Sequence, residues 1–364
     1  MFGHLYLMIL LHAASASVFS NLPGLDRFCS LSDNVIQCNI HVVNFLDFRD
    51  IRKLLSDLSG TTVVILNITC GDVGQLRLPW PMKSRNINEL WVDGCHVHGF
   101  HEFDSSMSDV PDRMVKLKLQ NSVIESSVFD TLSIFSKESF DCGQQTLSSL
   151  VMQNISYELI LEPKDITGLE SKGVIMDAGD LLLPNKEPST KMCNYKDLEK
   201  IDISNSVDGM TYFILPLQNS EFPKLTLFNM SNNSLLSFPD LMINWEVTFP
   251  NLETLDLSTN ELDYIDFSSS TTASKRHKPL FVNLRNNLFV NVPPIVSQLL
   301  QRPVPILVDM GDNPLVCGCD TLLYKTYLQS VIKTYPFIEN LQDTLCLQKS
   351  GQKTKILELE VNNC

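Results

Sequence analysis

Apolar residues recur along this chain in a fixed frame. Residues 252–262 read Leu252-x-x-Leu255-x-Leu257-x-x-Asn260-x-Leu262. A second copy runs Leu225-x-x-Phe228-x-Met230-x-x-Asn233-x-Leu235, and a third Ile87-x-x-Leu90-x-Val92-x-x-Cys95-x-Val97, with Cys in place of Asn. Weaker copies surround Leu119, Met152, Met176, Ile203, Leu284 and Met310, and residues 63–73 form a candidate first copy. The sixth position of each unit falls at 68, 92, 119, 152, 176, 203, 230, 257, 284 and 310. The intervals are 24, 27, 33, 24, 27, 27, 27, 27 and 26 residues. A chance apolar pattern would drift out of phase, whereas a coil of constant length returns in register.

The x-L-x-L-x core alternates with period two and predicts a short strand. Its apolar members face inward and its x positions outward. The Asn at the ninth position turns the chain into the interior, where its amide satisfies backbone groups left open by the turn. One coil cannot bury its apolar side alone, so coils must stack and both ends need covers. In front, Phe28-Cys29 and Val35-Ile36-Gln37-Cys38 predict a hairpin pinned by Cys29–Cys38. A helix follows, with Phe48, Ile51, Leu54, Leu55 and Leu58 on one face. At the other end Asn313-Pro314-Leu315-Val316-Cys317-Gly318-Cys319 opens a second cover, which Cys346 and Cys364 complete.

The repeat together with the C-x-C…C…C end after Asn-Pro resembles extracellular leucine-rich-repeat proteins with cysteine caps, such as Toll-type receptor ectodomains and Slit-like secreted proteins. That resemblance implies an α/β leucine-rich-repeat solenoid, a horseshoe of about ten repeats with parallel strands on its concave face. It divides the chain into a signal peptide (1–16), an N-terminal cap (17–61), repeats (62–313) and a C-terminal cysteine cap (314–364). It also implies the pairs Cys317–Cys346 and Cys319–Cys364. The front cap departs from the usual four-cysteine form, since only two cysteines stand there. A Toll-type receptor also needs a membrane span and a signalling domain, and neither is visible.

The first residues read as a signal peptide: an apolar core at 5–11, then Ala14-Ser15-Ala16, the small-residue shape that signal peptidase accepts. That core is too short to span ~30 Å of hydrocarbon. No later run of 18 or more apolar residues and no hydrophobic tail appears, so the expectation is a released, extracellular glycoprotein. Ten cysteines fit an oxidising compartment. Four N-x-[ST] sequons, at Asn67, Asn154, Asn229 and Asn232, fit it too. The net charge of −14 argues against nucleic acid, whose phosphates need neutralising by Lys and Arg.

Two intervals break the rhythm. Residues 136–145, with Cys142, are read as a bulge: a tolerated insertion or a contact loop. Residues 268–278 are read as a solvated loop, with a protease site or basic contact as the alternative. Cys142 and Cys193 lie in the same phase two coils apart, ~10 Å by strand spacing, and the bulge would have to close that gap for them to pair. Cys70 and Cys95 sit in adjacent coils at neighbouring phases. Either they bond, or Cys95 is a buried free thiol in the place of the ladder Asn.

No catalytic constellation and no phosphate-cradling loop emerges, so the chain is read as a binding protein without cofactor and not an enzyme. Cys95-His96-x-His98-x-x-His101 is the sole metal-like run. Cys95 and Val97 point inward in the repeat frame and His96 and His98 belong to the turn, so solvated histidines and no metal are expected. Outward positions offer Glu89, Trp91, Asp93, Lys116, Lys118 and Gln120 in the second and third repeats. The fifth and sixth offer Ile175, Asp177, Lys200, Asp202 and Ser204. An outward Trp91 would anchor an interface, unless it packs under the front cap. Asp256, and in part Asp202, belong to the common Leu-Asp-Leu-Ser pattern and read as structural. The functional expectation is a protein-binding module in extracellular signalling, adhesion or innate immunity. Its partner would be another extracellular protein or receptor ectodomain, or a second copy in a homodimer. The alternatives are a self-associating matrix or coat component, and an enzyme or enzyme inhibitor without a recognisable motif.

Overall fold

The computed structural model describes residues 28–41, 45–56, 64–71, 74–100, 110–127, 143–160, 193–206, 220–238, 242, 245–265, 267, 278–299, 302, 304–335 and 339–360. The chain divides into two compact units, residues 1–195 and 196–364. Each is a solenoid of parallel strands.

The first unit contains β1 (Cys29–Ser32), β2 (Val35–Ile40), β3 (Phe45–Asp47), helix α1 (Phe48–Ser56), β4 (Val64–Cys70), β5 (Gln75–Arg77), β6 (Ile87–Asp93), β7 (His96–His98), β8 (Lys116–Gln120), β9 (Val123–Ser127), β10 (Ser149–Gln153), β11 (Ser156–Ile160) and a two-residue β12 (Cys193–Asn194). Its main sheet runs β1-β2-β4-β6-β8-β10, parallel after the opening β1–β2 hairpin. The period read from the sequence is the register of this sheet: Ile68 stands beside Val92, Val92 beside Leu119, and Leu119 beside Met152. All four are buried. Each such side chain contributes ~1.5–3 kcal/mol by leaving water. Met176, and with it Ile175 and Asp177, lies outside the described residues.

A second parallel sheet, β3-β5-β7-β9-β11, carries the chain back. β3 and β5 start five residues after the preceding main strand ends, and β7, β9 and β11 three residues after. Gly94, Asn121 and Asn154 make the corners before β7, β9 and β11 in the left-handed region, with φ of 70°, 49° and 54°. Gly has no Cβ to clash there, and Asn tolerates it better than most residues. These return limbs are strands, so the α/β class is corrected to mostly sheet among the described residues. It is also a correction for His96 and His98, which lie on β7 and not in a turn.

The second unit contains β13 (Lys200–Asp202), β14 (Ser220–Glu221), β15 (Leu227–Asn229), α2 (Trp245–Thr248), β16 (Thr254–Asp256), β17 (Leu280–Asn283), α3 (Val296–Leu299), β18 (Ile306–Asp309), α4 (Cys319–Thr334), β19 (Leu345–Leu347) and β20 (Lys353–Lys355). Its sheet runs β13-β15-β16-β17-β18, all parallel. A ladder of buried asparagines stitches the coils. Asn260 Oδ1 accepts from the N–H groups of Asn233 (2.9 Å) and Leu235 (3.1 Å), while Nδ2 donates to the carbonyls of Met230 and Leu257. Asn233, Asn287 and Asn313 repeat the arrangement.

Strands of the second unit's sheet span three or four residues, against five to seven for the parallel strands of the first unit's main sheet. The fifth position decides this. In the second unit it holds Asp202, Asn229, Asp256, Asn283 and Asp309. Each accepts the N–H two residues on, from Ser204, Ser231, Ser258, Arg285 and Gly311. That short loop bends the chain out of the extended conformation. In the first unit Asn67, Trp91, Lys118 and Val151 stand there, and the strand continues past them.

Disulfides join Cys29–Cys38, Cys70–Cys95 and Cys317–Cys346. Cys95 is therefore not a free thiol. Cys193 and Cys319 are disulfide-bonded as well; Cys142 and Cys364, their expected partners, lie outside the described residues. In α1, Phe48, Ile51 and Leu55 are buried as its apolar stripe requires; the Leu54 side chain and Leu58 are not described. No helix among the described residues is long and apolar enough to cross a membrane.

Candidate functional site

The outward faces of β6 and β8 bring six of the expected contact residues together. Glu89 stands beside Lys116, Trp91 beside Lys118 and Asp93 beside Gln120. Alternation drives Leu90, Val92, Leu117 and Leu119 into the core, which leaves these six outside. Trp91 is 42% exposed, so it does not pack under a cap. Lys118 Nζ lies 5.5 Å from the centroid of its ring. Lys116 Nζ donates to Glu89 Oε1 at 3.0 Å. Asn121 Nδ2 donates to Asp93 at 2.7 Å, and Gln120 Nε2 to Gln153 Oε1 at 2.8 Å.

These contacts add little to stability. An exposed ion pair contributes ~0–1 kcal/mol and an exposed cation–π contact ~0.5–1 kcal/mol. Their effect is orientation: Lys118 lies over the indole, and Glu89 draws the Lys116 ammonium to a defined place. The result is an aromatic centre with both charge signs around it. A partner covering it would bury the indole and strengthen each polar contact by excluding water.

Two further expected contact residues do not join this patch. Asp177 lies outside the described residues. Lys200 belongs to the second unit, where its Nζ sits 3.4 Å from Asp202 Oδ2. Asp202 is buried and accepts from Ser204 and Asn229, so it serves the turn, as does Asp256.

The sequons fall into two kinds. Asn154 and Asn232 are exposed corner residues in the left-handed region. Asn67 and Asn229 are half-buried on outward strand faces, Asn67 directly beside Trp91 and Asn229 closing the turn to Ser231.

A second cluster stands on the return sheet. His96 and His98 project from the same side of β7, and Glu125 reaches them from β9, where it is the neighbour of His98. One ligand atom from each of the three lies within 4.8 Å of the others. The sequence reading missed Glu125. The signal was there: Glu125 is 27 residues after His98, the commonest coil length in this chain.

No family model and no curated protein sequence matches this chain. Solved structures with similar chains include one titled as an octameric complex of Latrophilin 3 (Lec, Olf), Unc5D (Ig, Ig2, TSP1) and FLRT2 (LRR). The chain matched there is 12% identical, with 92% of this chain and 97% of that chain covered and a TM-score of 0.43.

Proposed function

We propose that this chain is a leucine-rich-repeat recognition module that works outside the cell and takes a protein partner on the outward face of β6 and β8. The observation that carries the reading is the exposed Trp91 with Lys118 over its ring and the Glu89–Lys116 pair beside it. Tryptophan is among the residues richest in interface energy, and an aromatic ringed by polar groups is the usual plan of such a centre. The leucine-rich assignment is supported by the 27-residue period, the Asn ladder and the cysteine-closed ends. In this reading residues 1–16 are a signal peptide, the exposed sequons Asn154 and Asn232 carry glycans, and the disulfides form in an oxidising compartment. No catalytic role is assigned.

The test is a screen of the glycosylated protein against an array of extracellular ectodomains, repeated with Trp91→Glu and Lys118→Glu. The expected result is a ligand whose affinity falls at least ~10-fold in each variant, equal to ~1.4 kcal/mol, while far-UV circular dichroism stays unchanged. Ligand binding that survives both substitutions would reject this face.

One observation favours self-association as a second reading. In the second unit Leu236, Val290 and Val316 are exposed by 73%, 48% and 41%, in one phase of the period that Asp263 interrupts, with Leu288 exposed as well. The apolar group of Leu288, Val290 and Val316 suits a second copy. Sedimentation velocity across a concentration series decides it: a strict monomer disposes of this reading.

A further inference from the structure

We infer that His96, His98 and Glu125 form a binding site for a divalent transition-metal ion of the zinc type, with a coordination position left open to solvent.

The argument starts from the strand period. Residues two apart on a strand face the same way, so His96 and His98 project together, with Val97 buried between them. Their ring centroids are 4.7 Å apart. Parallel pairing sets Glu125 beside His98. Glu125 Oε1 lies 3.0 Å from His98 Nδ1, and Oε2 lies 3.4 Å from His96 Nε2. Two imidazoles and a carboxylate are a donor set that zinc takes in its three-protein-ligand sites.

Two observations favour cation binding over a plain hydrogen-bonded cluster. Nε2 of both histidines is shielded from solvent and makes no hydrogen bond; Glu125 Oε2, 3.4 Å from His96 Nε2, is in ion-pair range but not in hydrogen-bond geometry. A shielded, unsatisfied ring nitrogen costs free energy that a metal bond would recover. Glu125 also has Glu158 as its neighbour on β11, so two carboxylates stand side by side on adjacent strands. Like charges placed so are destabilising unless something positive lies between them or beside them. On the other side, His98 neighbours Arg77, whose guanidinium lies 4.0 Å from Asp47, so that positive charge is partly offset.

The distances need modest closure. Bonds of ~2.0–2.1 Å in a tetrahedron set ligand atoms ~3.3 Å apart, against the present limit of 4.8 Å. All three side chains are half-buried and stand on one sheet, so rotation about χ1 and χ2 is the movement that closes the site. Three ligands leave a fourth position facing outward, for water or for a donor from another molecule.

The experiment titrates zinc chloride into the untagged, chelator-treated full chain at neutral pH, by isothermal calorimetry. The expected result is saturable uptake of about one equivalent. Cobalt(II) in place of zinc should give the visible absorption of a tetrahedral site. His98→Gln and Glu125→Gln should each weaken zinc binding by more than ~100-fold, beyond the ~10–100-fold loss from merely supporting groups, with circular dichroism unchanged. No saturable uptake overturns the inference. So does uptake at full affinity in the His96→Gln/His98→Gln double variant, because the ion would then be held elsewhere.

Discussion

The last strand of the second unit should depend on two phenol hydroxyls. β18 pairs with β17 on one side only, and its other edge is covered by α4. Tyr327 Oη accepts from the Val308 N–H at 2.6 Å and donates to the Ile306 carbonyl at 3.1 Å. Tyr324 Oη accepts from the Met310 N–H at 3.2 Å and donates to the Val308 carbonyl at 3.0 Å. The two rings stack with centroids 5.5 Å apart and are buried. The hydroxyls thus stand where another strand's backbone would stand, and close an open sheet edge. Tyr→Phe keeps the apolar ring and removes these hydroxyl bonds, together with the one between Tyr324 and Thr344. Each substitution strands one buried N–H and one buried carbonyl, at ~1–3 kcal/mol per group. Allowing for some relaxation, about 2–4 kcal/mol per variant is expected. The double variant should lose about 4–7 kcal/mol, not strictly additive because the rings touch. Against a usual domain stability of ~5–15 kcal/mol, that is a large fraction.

Urea unfolding followed by circular dichroism measures this loss. pH supplies a second readout. Burial, more than any neighbouring charge, raises the pKa of both phenols above the ordinary 10.0. The folded chain therefore keeps these protons at a pH where the unfolded chain releases them. Their stabilisation is complete below pH ~10 and falls as pH rises through and beyond the ordinary phenol range. The Phe variants should be flatter in that range. If both single variants unfold within ~0.5 kcal/mol of the wild type, the edge-closing role is wrong.

Two other outcomes follow from the same structure. Asn260→Ala removes a side chain with two accepted and two donated backbone bonds in the interior. A loss of about 3–5 kcal/mol in urea unfolding is expected, and a loss under ~1 kcal/mol would deny the ladder its stitching role. Cys70→Ala/Cys95→Ala opens a cross-link spanning 25 residues. Loop-closure entropy sets its stabilisation at about 3.5 kcal/mol, to be read as a lower thermal midpoint than the wild type under non-reducing conditions.

The patch and the metal cluster differ in how far the sequence reveals them. Glu89, Trp91, Lys116 and Lys118 are legible because exposure on a strand follows from period two and lateral neighbours follow from the coil length. The His96–His98–Glu125 cluster obeys the same arithmetic. It was hidden because residues after the ninth position have no fixed conformation in the repeat, and only their pairing as β7 and β9 aligns them. The left-handed corners at Gly94 and Asn121 are what start those limbs in register.

The sequence by itself determined the coil length, the inward and outward faces of the main strands, the Asn ladder and the hairpin cross-link at Cys29–Cys38. These are local or strictly periodic features, and their free energy comes from neighbours at a known offset. The tertiary structure alone decided that the return limbs of the first unit pair as a second sheet, and that Tyr324 and Tyr327 close the free edge of β18. Both depend on groups of different phase meeting across space. Unpaired backbone N–H and carbonyl groups accept whichever partner packing brings within reach, and no spacing along the chain encodes which one arrives.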